Sequence, residues 1–228
     1  MLIILHIYAG MGNETPNLIK ITSVVWISTN GAPSRTEGRT EFEMVMGMAI
    51  VKFYRIHRSI REELGEEMAR QLFPEYTALP DQMPLPEQAR LSKLIMDRMD
   101  RLLDQDTIAR VRRKHCCNPS RQQIEEIHAL KEQCGDLDEF CAEYSKFFAP
   151  GHVEREGDLL TLSFGWGKCV CGMFRRLESY ERMSKTWCEC CNGHVIKVFR
   201  MIFGQKVVSR IEEAVICGDR DCVFKVRI

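Results

Sequence analysis

The chain is 228 residues long, with 45% hydrophobic and 28% charged residues, a composition of folded globular proteins rather than disordered ones. Lys plus Arg and Asp plus Glu each total 32, so no net charge draws the chain toward nucleic acid or an anionic membrane. Residues 2–9 are apolar but too short to span a bilayer, no basic residue precedes them, and no signal-peptide cleavage pattern follows; a cytoplasmic protein is expected. In that reducing compartment eleven cysteines, an odd number, argue for metal or thiol chemistry before disulfides.

Residues 1–43 match nothing downstream. They hold a short apolar run, one strand-like stretch at 24–28 and a loose Asn30-Gly31-Ala32-Pro33-Ser34 segment, and are read as an extension of uncertain order. Met44, Met46 and Met48 are each candidate starts. From Met44 to Phe73, Ile50, Phe53, Tyr54, Ile56, Ile60 and Leu64 recur at helical steps, with Gly65 dividing the run. A joint containing Pro74, Pro80, Pro84 and Pro86 leads into a helix with the stripe Leu91, Leu94, Ile95, Met99, Leu102 and Leu103. A short helix follows with Asp106 as its expected cap; the basic run Arg110-Val-Arg112-Arg113-Lys114 suits its C-terminal end.

Cys116-Cys117-Asn118-Pro119 interrupts the helical period. Ser120 and Gln123 have capping-box spacing for the next helix, and Asp136 caps another that carries Phe140, Cys141 and Tyr144 inward. After residue 150 the period falls to two. Residues 152–155 and 159–165 make a hairpin about Glu156-Gly157-Asp158; a helix spans about 189–203; residues 207–216 and 222–228 make a second hairpin about Gly218-Asp219-Arg220-Asp221. The expected class is therefore α+β: helices over 44–150 packed as one domain on a β-β-α-β-β antiparallel sheet over 151–228.

Five cysteines fall between Cys169 and Cys191, as Cys169-Val-Cys171 and Cys188-Glu-Cys190-Cys191. A locally extended Cys-x-Cys pair projects both thiols to one side, so two pairs supply the four ligands of a tetrahedral zinc site. Cys169, Cys171, Cys188 and Cys190 are the expected ligands, with Cys191, Cys222 and His194 as substitutes and Cys116 and Cys117 only if the fold brings them near. The loop from Lys168 to Thr186 has few large aliphatic residues, and a metal would hold it. An iron–sulfur cluster uses the same thiolates, and redox pairing or simple packing are the competing readings. Trp166 and Trp187 flank the cysteines and are positioned to exclude water or merely to pack.

The C-terminal text Val208-Ser-Arg-Ile211-Glu-Glu213-Ala214-Val-Ile216-Cys-Gly218-Asp219-Arg-Asp-Cys222-Val-Phe224-Lys-Val226 resembles the end of the 4-vinyl-reductase-type ligand-binding domain, whose fold is shared with subunits of the TRAPP vesicle-tethering particle. The cysteine pairs are most similar to uncharacterised cysteine-rich bacterial proteins with that ending. The resemblance, over the last half of the chain, implies a helix-lined apolar cavity against a sheet, a metal site near Cys222, and Glu213 facing a pocket. Three functions follow as expectations. The first is a sensory or carrier-like protein that binds a small apolar ligand and holds a structural zinc. The second is an enzyme with a cysteine nucleophile, Cys191 beside His194, or an iron–sulfur cluster. The third is a structural subunit that forms a homodimer.

Overall fold

The computed structural model describes residues 41–204 and 206–228, with side chains from residue 51 onward. The expectations for residues 1–40 lie outside the described residues. Within them the chain is mixed α and β, with seven α-helices and one four-stranded antiparallel sheet, and most of the helices precede the sheet.

Helix α1 (Glu41–Leu64) buries Phe53, Ile56 and Ile60 on the face that the periodicity marks. Gly65, at φ +86°, ends it in a conformation that costs glycine nothing, and α2 (Glu66–Leu72) leaves at a new angle. A 3₁₀ turn at Pro74–Ala78 leads to α3 (Leu85–Leu102), where Pro86 stands in the first turn. Arg98 holds that turn to α3 through paired bonds of 2.8 and 2.7 Å to Glu75. The α3 stripe is narrower than expected: Leu91, Ile95 and Met99 are buried, whereas Leu94 and Leu102 are exposed. Helix α4 (Gln105–Lys114) is capped by Asp104, not Asp106; the Asp104 carboxylate accepts from the Thr107 amide at 2.9 Å, so the helix begins two residues earlier than Asp106 implies. Ser120 and Asp136 cap α5 (Arg121–Gln133) and α6 (Leu137–Phe147) as their spacing predicts.

The strands are β1 (His152–Glu156), β2 (Leu159–Ser163), β3 (Val208–Glu213) and β4 (Val223–Arg227), in the order β1-β2-β4-β3. Helix α7 (Glu189–Phe203) intervenes between β2 and β3 and is stopped by Gly204. Leu160, Leu162, Phe224 and Val226 are buried, while on the alternate face Lys225 reaches its register partner Thr161 at 2.8 Å. Strand β3 ends at Glu213, short of the expected residue 216. Asp219 accepts the Ala214 amide at 2.9 Å, Val215–Cys217 form a 3₁₀ turn, and Gly218 at φ +103° reverses the chain.

Two apolar clusters result. One joins α1 to α4 with residues 169–188 and Ile216; the other joins α5, α6 and α7 to the sheet. The segment after β2 has more apolar anchoring than its few aliphatic residues suggest: Met173, Phe174, Met183 and Trp187 are buried in the first cluster, Phe174 edge-on to Trp187 at 5.4 Å. Sparse aliphatics are replaced there by methionine and aromatic packing. No helix among the described residues is long and apolar enough to cross a membrane.

Helices α4 and α7 approach closely at Gly193, where an added Cβ would lie 2.9 Å from the Cys116 sulfur and 3.1 Å from the Arg113 Cα. Gly193→Ala is therefore expected to cost about 1–3 kcal/mol by overpacking, which lowers Tm by roughly 3–10 °C in a thermal melt. In the second cluster, burial pushes the Tyr144 phenol from 10 up to about 12. The unfolded chain ionises first, so stability present below pH 10 falls as pH rises to 12. The loss is about 2–3 kcal/mol. Denaturant titrations of wild type and Tyr144→Phe across that window should diverge by this amount, the variant being the less pH-sensitive.

Candidate functional site

A cavity of about 260 Å³ opens where α1, the end of α4, the segment after β2 and the start of α7 meet. Four cysteines line it: Cys117 beyond α4, Cys171 after β2, and Cys190 and Cys191 in the first turn of α7. On a helix, residues three or four apart share a face, and neighbours, about 100° apart, can edge one cavity. His194, one turn after Cys190 and Cys191, thus lines the same cavity.

Arg112 builds this junction. It is buried, donates to the carbonyls of Thr186 and Trp187 at 3.2 and 3.1 Å, and lies 5.0 Å over the Trp187 ring. Those carbonyls immediately precede α7, so Arg112 registers the end of α4 against the start of α7. Arg113 adds an ion pair to Glu189 at 2.6 Å. In consequence the Cys117 and Cys190 sulfurs stand 4.0 Å apart, although 73 residues separate them.

Lys52 of α1 donates to the Cys171 sulfur at 3.0 Å. Burial opposes the lysine's charge, but Cys171, and more weakly Cys117 and Cys190, outweigh it and hold the lysine protonated above its usual range. The Cys117 thiol bonds to Cys190 and pulls it well below the ordinary thiol range against the effect of burial, with Arg112 assisting. Cys117 rises correspondingly, chiefly through the same bond, so one proton serves the pair. Cys191 is raised by burial. The His194 Nδ1 lies 3.1 Å from the Cys117 carbonyl, which can only accept. Nδ1 therefore carries a proton, and in the neutral ring Nε2 is the nitrogen with the lone pair.

The expected quartet divides. Cys171 and Cys190 line this cavity, whereas Cys169 and Cys188 are buried in the first apolar cluster, Cys169 at the wall of a neighbouring cavity and pushed to about 12 by burial. Neither Cys-x-Cys pair is extended. The chain turns at Cys171, whose carbonyl accepts from Phe174 and Arg175 at 2.9 Å, and Cys188 already has helical dihedrals, so Cys188 and Cys190 point to opposite sides. Of the substitutes, Cys191 and His194 line the cavity; Cys222 packs with Phe224 in the second cluster. Cys117 was the residue sequence spacing could not place. Trp187 is buried at the cavity wall, Trp166 is exposed, and Glu213 is exposed on β3. Among the described residues no group of three or more His, Cys, Asp or Glu is drawn together tightly enough to hold a metal ion as it stands; the four thiols ring a space instead.

A model described as a family of unknown function, DUF6144, matches residues 46–228. The chain belongs to this family. The matched span includes all four cavity thiols, Lys52 and His194. No curated protein matches the chain. The family match carries no link to the 4-vinyl-reductase-type domain.

Cavity and core thiols should differ in reactivity. In native, chelator-treated protein at pH 8, iodoacetamide is expected to label Cys171 and Cys190 at least about tenfold faster than Cys169 and Cys188, read by peptide mass spectrometry. Equal rates would contradict the division.

Proposed function

We propose that this protein binds a small molecule in the cavity and holds a thiophilic metal ion, zinc first, with Cys117, Cys171, Cys190 and Cys191. The observation that carries this reading is the arrival of four cysteines from three separate segments at one cavity. Sulfurs on a tetrahedral zinc, at Zn–S of about 2.3 Å, stand about 3.8 Å from each other. The 4.0 Å between Cys117 and Cys190 is close to that edge, and about twice a disulfide bond. Four thiolates around a divalent ion leave two negative charges. Lys52 on Cys171 and Arg112 near Cys190 offset them inside the protein. His194, with Nε2 free, is the alternate ligand. An iron–sulfur cluster would draw on the same sulfurs. We place this activity in the cytoplasm, where thiols stay reduced.

One observation favours a second reading, an enzyme with a cysteine nucleophile. Cys190 is pulled below the ordinary thiol range with the Cys117 sulfur 4.0 Å away, a spacing that suits an attacking and a resolving sulfur. That differs from the expected Cys191–His194 pair, since His194 bonds the Cys117 carbonyl.

Anaerobically purified protein should carry about one zinc per chain by elemental analysis. Cys117→Ser and Cys190→Ser should each weaken zinc at least about tenfold, and Cys169→Ser should leave it within about threefold. Less than about a tenth of an equivalent of metal in the wild type, or loss on Cys169→Ser with retention in Cys117→Ser, would sink the proposed ligand set.

A further inference from the structure

A second cavity, of about 520 Å³, adjoins the thiol-lined one: Phe164 and Val170 belong to the walls of both. Across the two, the charged lining residues other than cysteine are all basic, namely Lys52, Arg55 and Arg112 in the first and Lys168, Arg175 and Arg176 in the second. No aspartate or glutamate lines either cavity among the described residues. In a chain with 32 charges of each sign, neighbouring surfaces ordinarily mix them, as a third cavity does with Glu75, Glu87 and Arg90.

The basic residues fall into inner and outer sets. Lys52 and Arg112 are engaged inside, on Cys171 and on the carbonyls before α7. Arg55, Lys168 and Arg175 are exposed at the rims and make no ion pair with a described residue. Arg55 lines the first cavity and Lys168 and Arg175 the second, so their charges flank the wall the two share. Phe164, Val170 and Trp166, the last half-exposed on a loop bounded by Gly165 and Gly167 in left-handed conformation, supply an apolar surface between them. A wall that is apolar at the centre and cationic at the edge suits an amphipathic anion.

We infer that the two cavities form one binding site for a small organic anion, a carboxylate or phosphate whose aromatic or aliphatic body lies against Phe164 and Val170 and whose charge is met by Arg55, Lys168 and Arg175. This narrows the ligand class from apolar to anionic. It rests on the cavity half of the proposed function and not on the metal.

The test is a fluorescence titration of zinc-loaded and chelator-treated protein, below the melting transition, with anionic 8-anilinonaphthalene-1-sulfonate and neutral N-phenyl-1-naphthylamine. The anion is expected to bind one-to-one, at least about tenfold tighter than the neutral probe, and more weakly as salt is raised. The triple variant Arg55→Gln, Lys168→Gln, Arg175→Gln, altered only at exposed side chains, should lose at least about tenfold for the anion and little for the neutral probe. Displacement by 3-phenylpropionate or by phenyl phosphate then assigns the charged group. Equal affinity for both probes, or a triple variant within twofold of wild type, overturns the inference. Anion binding as described in protein that takes up no zinc removes the metal reading and leaves this one. Zinc uptake without anion binding does the reverse.

Discussion

The buried guanidinium of Arg112 is the contact on which the geometry of the cavity depends. By donating to the Thr186 and Trp187 carbonyls and lying over the Trp187 ring, it fixes where α7 begins relative to where α4 ends. At Gly193 the two pass so closely that a Cβ would meet Cys116 and Arg113. The pairing of Cys117 with Cys190 follows from that junction. Cys117 is one turn beyond α4 and Cys190 is in the first turn of α7, so joining the two ends sets their sulfurs side by side. A buried arginine without a carboxylate partner is costly unless its donors are used. Here two carbonyls and an aromatic face use them, and the charge remains available to favour thiolate at Cys190.

The two apolar clusters divide the labour. The second, between the sheet and α5 to α7, is ordinary α+β packing and contains Cys141 and Cys222 as small hydrophobes. The first ties the helical front half to the long segment after β2, with Phe174 and Trp187 at its centre. In that segment Cys169 and Cys188 pack in the cluster, while Cys171 sits at its edge and also lines the cavity.

The fold class and every α-helix after the opening segment were legible in periodicity and capping residues, because each such signal is local: Ser120 and Asp136 bond amides three residues on. Boundaries failed where a side chain from elsewhere intervened, as when Asp219 takes the Ala214 amide and cuts β3 short. Half of the site was legible too. Cys190, Cys191 and His194 share a face of a helix that the pattern already placed, and reading Cys188-x-Cys190 as helical rather than extended would have removed Cys188. The recruitment of Cys117 and Lys52 depends on how α1, α4 and α7 stack, and no local pattern encodes a contact over 73 or 119 residues. The charge of the cavity rims was equally hidden, since its basic residues are scattered through a neutral chain.

The most direct measurement is X-ray absorption at the zinc edge on metal-loaded protein, which counts the sulfur atoms around the ion and gives their distance. Convergence of Cys117, Cys171, Cys190 and Cys191 predicts three to four sulfurs at about 2.3 Å, with any remaining position held by the nitrogen of His194. A shell of nitrogen and oxygen alone would place the ion elsewhere and contradict the thiol-lined cavity as a metal centre.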